Sequence, residues 1–210
     1  MSKRIEQSRE IYLAPGILGR YEKSTPIVID ERNNFAELDP RDIETKIKIY
    51  EREVTEWFLS PASDLLKQDS FKNSFVVLMI CMSYIEGVEQ YKTGIDSNKK
   101  SKKCFISSVN RLFPDKFSDK NLEVLYSKSR CGLFHNGMVK GGVVFSSAYK
   151  NAIEFINNGE IININPELLL RRITDDFDSY IAELRSNISE TDNDRIKAVK
   201  ENFNRMFDVL

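Results

Sequence analysis

Between Phe71 and Tyr91 the chain runs Phe75-Val-Val-Leu-Met-Ile-Cys-Met82 and then Tyr84, Ile85 and Val88, apolar on almost every side of a helix. A helix without a polar face has to be surrounded, so this segment predicts the centre of a helical bundle. The apolar run from Phe75 to Met82 is far shorter than the roughly 20 residues that cross a bilayer. The first residues, Met1-Ser-Lys-Arg-Ile-Glu-Gln-Ser8, lack the apolar stretch of a secretory signal. The expectation is a soluble, cytoplasmic protein with no membrane partner.

Amphipathic helices are expected on both sides of this segment. Asp39 is a candidate N-cap with Pro40 at the first helical position, and Ile43, Ile47, Tyr50, Val54, Trp57 and Phe58 recur at helical spacing. Ser60-Pro61 then either kinks that helix or caps a successor through Leu65 and Leu66. A third helix runs from Ser101 to Phe113 and stops at Pro114. Ser118 caps a fourth, with Asp119 in its first turn, and this one carries Leu122, Leu125 and Tyr126 inward. Asn165-Pro166-Glu167 opens a helix through Leu169, Ile173, Phe177, Tyr180, Ile181 and Leu184. A last helix starts near Thr191.

Two stretches depart from helical periodicity. Ile153–Ile156 and Glu160–Ile164 flank Asn157-Asn-Gly159 and read as a small β-hairpin, although 148–156 would also tolerate a helix. Residues 1–40 carry Pro15-Gly16, Gly19, Pro26 and Pro40 between short apolar pieces, which predicts an extended N-terminal arm. The expected architecture is mainly α: an arm over 1–40 and a single helical domain over 41–210, with the hairpin inserted before the C-terminal helices.

Charge is unevenly spread. From Lys92 to Lys140 eleven Lys/Arg face four acidic residues, so a chain of net charge −1 contains a segment of +7 against −8 elsewhere. Such a segment suits a polyanion, whereas the acidic balance overall disfavours indiscriminate coating of DNA. Lys99, Lys100, Lys102, Lys103, Lys128 and Lys140 are the candidate contacts; the alternative for Lys99–Lys103 is a solvated loop. Cys81, Cys104 and Cys131 have no CxxC spacing and suggest neither disulfides nor zinc, and one histidine leaves little for a transition metal. No metal and no cofactor are expected.

That histidine, His135, lies five residues after Arg130 in Leu125-Tyr-Ser-Lys-Ser-Arg-Cys-Gly-Leu-Phe-His-Asn-Gly137, the last turns of a helix ended by Gly137. Residues five apart are rotated by about 140° on a regular helix, so the two side chains converge only if the helix ends nearby or the arginine reaches across. An imidazole suits proton transfer near neutral pH, and a guanidinium suits the charge that builds on a phosphate in flight. Together these are the needs of RNA cleavage in which a 2′-OH attacks its own phosphodiester, a chemistry closed to DNA.

Arg130-Cys-Gly-Leu-Phe-His135 resembles the R-x4-6-H signature of HEPN domains, with four residues intervening. The setting is also similar: an apolar helix bearing an acidic residue (Phe75 to Glu86), a basic connection, a helix ending in the motif, and a closing C-terminal helix. The resemblance implies a HEPN-like helical bundle that dimerises with its motif helices facing each other, and a metal-independent endoribonuclease of the kind that often serves as a toxin or antiviral effector. Carried over by position, Arg130 would steady the scissile phosphate and His135 would act as acid or base. Glu86 would set the arginine, and Asn136 would contact phosphate or cap the helix. The partners implied are RNA, a second copy of the chain, and an antitoxin or regulatory protein. Cys131 stands where the family often carries Asn, Asp or His, and Gly137 stands where some members carry tyrosine. The first departure motivates an alternative, a non-catalytic HEPN-like dimerisation or RNA-binding module.

Overall fold

The computed structural model describes residues 9–136, 138–186 and 193–209, without the side chains of His135, Asn136 and Asn193. Among these residues the fold is mixed α/β: it is largely helical, as expected, with more sheet than the single hairpin that was expected. A four-stranded antiparallel sheet precedes the helices, and a three-stranded sheet lies before the last two. The chain forms two compact units. One comprises residues 1–60, 91–94 and 180–210; the other comprises 61–90 and 95–179.

In the first unit, β1 (Ile11–Ala14), β2 (Ile17–Glu22), β3 (Thr25–Asp30) and β4 (Ala36–Leu38) form a meander where an extended arm was expected. β2 and β3 are joined by Lys23-Ser24, both at positive φ (47° and 71°), the backbone of a two-residue hairpin turn. Helix α1 (Ile43–Val54) starts at Asp42, whose carboxylate accepts the Thr45 N–H at 3.1 Å. The predicted cap, Asp39, instead closes the preceding turn by accepting the Arg41 N–H. Thr55–Leu59 is a π turn that leads without a break into α2 (Ser60–Gln68). Pro61 cannot donate to the preceding turn and its ring crowds it, and the wider turn absorbs that conflict. From Pro61 onward α2 belongs to the second unit; besides α1, the first unit contains the C-terminal end of α7 (Pro166–Arg185) and α8 (Asn193–Met206).

One buried ion pair and one aromatic cluster hold this unit. Asp30, fully buried, accepts two hydrogen bonds at 2.8 Å from the Arg52 guanidinium and one at 3.2 Å from Lys48. Tyr50 of α1 packs against Tyr91, Phe203 and Phe207 at centroid distances of 4.8, 5.5 and 5.4 Å.

The second unit is built on α3 (Ser70–Thr93), opened by Asp69, which accepts the Phe71 and Lys72 N–H groups. Val77, Leu78, Cys81, Met82 and Ile85 are fully buried in it. Helix α3 is long and apolar enough by length and composition to cross a membrane. Yet Ser74 and Glu89 are buried too, as in a core helix packed against polar partners. The enclosure is incomplete: Val76 is exposed, and Met79, Ile80, Ser83 and Gly87 are half-exposed. The same unit contains α2, α4 (Ser101–Leu112), α5 (Asp119–Leu125), α6 (Cys131–Asn136) and most of α7.

The expected hairpin forms from β6 (Ile153–Ile156) and β7 (Ile161–Ile164), turning through Asn157, Asn158 and Gly159, all at positive φ. A strand absent from the prediction, β5 (Val143–Phe145), lies parallel to β7, so the sheet order is β5-β7-β6. Asn165 accepts the Leu168 N–H to start α7, while its amide donates to the Ser147 and Tyr149 carbonyls.

Burial alone would raise the Asp30 pKa, but hydrogen bonds from Arg52 and Lys48 and the charge of Arg52 outweigh it and hold the carboxyl below the usual range. Its stabilisation is therefore present above the ordinary carboxylate pKa and lost as pH falls through the lowered value. Replacing Asp30 by Ala leaves Arg52 and Lys48 without their partner and should cost about 3 kcal/mol in urea unfolding at neutral pH. The deficit should shrink in acid.

Candidate functional site

The site begins at a defect in a helix. Helix α5, capped by the Ser118 hydroxyl accepting the Asn121 N–H, passes into a π turn over Tyr126–Arg130, in which the Cys131 N–H reaches back to the Tyr126 carbonyl. Helix α6 follows, so Arg130 sits at the junction of a widened turn and a short helix. Within the turn Ser129 is fully buried, and its Oγ has no hydrogen-bond partner among the described residues. A π turn and an orphaned hydroxyl are both costly. Their place beside Arg130 marks this junction as more than a connection.

Glu86 of α3 meets Arg130 there. The Arg130 Nε donates to Oε2 at 2.7 Å and Nη2 donates to Oε1 at 3.1 Å, a side-on bidentate pair. The side chains are 18% and 13% exposed, so the pair is shielded without being sealed. Burial works against the Arg130 charge, but the Glu86 carboxylate outweighs it and raises the arginine pKa. Two of five guanidinium N–H groups go to Glu86, and among the described residues nothing takes the Nη1 edge, which leaves it for another acceptor. The guanidinium also lies 5.0 Å from the centroid of Phe134 and 5.8 Å from that of Tyr126.

Ser101, the first residue of α4, ties the pair to the basic connection. Its hydroxyl donates to Glu86 Oε2 at 3.3 Å and shares a 2.6 Å hydrogen bond with the Tyr126 hydroxyl. Burial first, and then the neighbouring Cys131, push Tyr126 above its ordinary pKa, while the bond with Ser101 works the other way. The phenol is therefore neutral at physiological pH.

The candidate lysines divide. Lys99, Lys100, Lys102 and Lys103 are exposed around an open depression of about 610 Å3 that Ile106 and Ser107 also line. Lys102 is held by Glu123 at 2.6 Å. Lys128 lies outside the depression and donates to the Glu160 carbonyl. Lys140 is exposed, and its backbone N–H donates to the Lys128 carbonyl. Arg111, counted in the basic segment, spans Glu89 and Asp176.

His135 and Asn136 belong to α6, but their side chains lie outside the described residues, as does Gly137. Among the described residues no three His, Cys, Asp or Glu side chains converge as a metal site. Glu89 is 4% exposed and accepts from Ser107 and Arg111. Ser101 and Tyr126 carry no sequence signal that connects them with Glu86.

Two glycines near the pair differ in kind. A Cβ on Gly132 would come within 2.8 Å of the Met138 carbonyl and 2.9 Å of the Lys140 nitrogen, because the chain after the motif lies against α6 there. A Cβ on Gly87 would meet nothing within 4 Å among the described residues. Gly132→Ala should therefore destabilise by about 1–3 kcal/mol. Gly87→Ala should stabilise by up to about 1 kcal/mol, since alanine is the better helix former. Thermal unfolding of both variants checks the contrast.

Comparisons with protein-family models, with curated proteins and with solved structures found no match.

Proposed function

We propose that this chain is a metal-independent endoribonuclease of the HEPN type, acting as a homodimer with Arg130 and His135 in its cleft. The observation that carries the reading is the bidentate Glu86–Arg130 pair. It holds a guanidinium at fixed orientation, one edge unused, five residues before the only histidine of the chain. Pre-set donors aimed at developing phosphate charge are the part of such catalysis that a protein has to build.

In the proposed reaction the 2′-oxygen of one ribose attacks the adjacent phosphorus and the bond to the 5′-oxygen breaks. One His135 imidazole takes the 2′-OH proton, and the imidazolium of the partner subunit returns a proton to the leaving 5′-oxygen. The products are a 2′,3′-cyclic phosphate and a 5′-hydroxyl. Arg130 steadies the non-bridging oxygens through Nη1. Glu86, Ser101 and Tyr126 are positioning residues. The exposed Lys99, Lys100 and Lys103 attract the strand at the start of α4, the helix whose Ser101 touches Glu86. A toxin or antiviral role restrained by a regulatory protein is the biological setting that suits an intrinsically active ribonuclease.

A second reading has its own observation. Glu86 already matches the Arg130 charge, and Cys131 contacts Tyr126 rather than supplying a polar group beside the arginine. A non-catalytic HEPN-like dimerisation or RNA-binding module would use the same pair as an internal tie.

Cleavage separates the two. The purified protein should cut single-stranded RNA in EDTA, and His135→Ala or Arg130→Ala should slow cutting by at least about 100-fold while leaving thermal unfolding cooperative. Undiminished cutting in both variants would contradict the proposal. Binding without cutting, unchanged by His135→Ala, would support the second reading. Alanine in place of Lys99, Lys100 and Lys103 should lower the slope of log affinity against log salt by up to about 0.7 per lysine, as read from RNA titrations at several salt concentrations.

A further inference from the structure

Among the described residues nothing explains Gly87. It lies within the 24-residue α3, where glycine weakens a helix, at an ordinary φ, and a Cβ there would meet nothing within 4 Å among those residues. A glycine that neither turns the backbone nor makes room for a neighbour leaves space for something outside the chain. That space is the floor of a cleft of about 220 Å3 walled by Ser83, Glu86, Gln90, Arg130 and Phe134.

The walls have a definite chemistry. Phe134 is 43% exposed, with the Arg130 guanidinium 5.0 Å from its ring centroid, so the ring and the cation already form one short stack. The Gln90 Oε1 accepts the Ser97 N–H at 2.9 Å, which fixes the amide orientation. Its –NH2 group has no partner among the described residues and remains a donor, as does the Ser83 hydroxyl. An exposed aromatic face beside two free donors, next to an arginine with an open edge, suits a flat ring that carries acceptors on its rim and a phosphate at its side.

We propose that this cleft is a nucleobase subsite for an unpaired RNA strand. The base passes over Gly87, stacks on Phe134 and presents a carbonyl oxygen or ring nitrogen to Gln90 and Ser83, and the adjoining phosphate meets the free edge of Arg130. A base in a duplex has its edge paired and its faces covered, so the subsite selects single strands. This rests on the RNA reading above and deepens it by placing one nucleotide.

The test is binding, which does not depend on cleavage. The probe is a fluorescein-labelled, mixed-sequence single strand of about eight nucleotides, 2′-O-methylated so that it resists attack, together with the same strand made abasic. Gly87→Leu fills the floor and Phe134→Leu removes the ring. Each should weaken binding of the strand about tenfold or more, with melting temperatures at or above wild type for Gly87→Leu. The abasic strand should bind wild type as weakly as the full strand binds the variants. Wild-type affinity in Gly87→Leu would overturn the inference and leave the ribonuclease reading standing. So would a change in its mass by light scattering, because the space would then belong to a second copy of the chain. A wild-type protein that does not bind the strand would overturn the RNA reading itself.

Discussion

The Glu86–Arg130 pair ties the central helix of the second unit to the end of the π turn. The Phe75–Met82 run of α3 is continuously apolar and by itself sets no preferred rotation or register among its neighbours. The two carboxylates of α3, one turn apart, supply both: Glu86 takes Arg130 from the end of the π turn, and Glu89 takes Arg111 from α4. Arg111 passes on to Asp176 of α7, which also accepts from Tyr84. Ion pairs this shielded add little net stability, because desolvation offsets much of the attraction, but a mismatched register would leave a charge buried and unpaired. Their effect is to make one packing of the apolar helix much better than the rest. In the first unit Asp30 with Arg52 and Lys48 plays the same part between a sheet and α1.

The same pair makes the functional reading coherent. An arginine poised for phosphate has to be charged, oriented and only partly used. Side-on contact with Glu86 meets all three requirements while leaving Nη1 open. The Ser101 hydroxyl connects that carboxylate to the start of α4, where the exposed lysines cluster, so the lysine-rich surface and the proposed catalytic arginine share one hydrogen-bonded frame. The π turn sets Tyr126 against Cys131, which a regular helix would not do for residues five apart.

Much of this was legible in the sequence, and the rest was hidden for identifiable reasons. Side-chain periodicity and caps point directly to α3, to the Ser118 start of α5 and to the Asn165 start of α7. Arg130, His135 and Glu86 stand out by residue type and setting. The first sheet did not stand out, because its strands are three to six residues long and Lys23-Ser24 makes the β2–β3 turn without the Asn-Gly or Asp-Gly that announces such turns. Proline and glycine at 15, 16 and 26 then look like an unstructured arm rather than punctuation between strands. β5 is three residues long and pairs in parallel with a strand that begins sixteen residues after it ends, a contact no local pattern reveals. The Ser101–Tyr126–Glu86 connection and the open space above Gly87 are properties of packing, visible only once α3, α4 and the motif helix are brought together.

The central claim is that a 2′-hydroxyl does the attacking, guided by Arg130 and His135. It is tested most directly by the ends of RNA fragments produced by the wild-type protein in EDTA. A 2′,3′-cyclic phosphate opposite a 5′-hydroxyl, with no cut where the upstream nucleotide is 2′-deoxy, is the expected result. Fragments ending in a 3′-hydroxyl and a 5′-phosphate, cutting that continues past the 2′-deoxy position, or no cutting at all would contradict it.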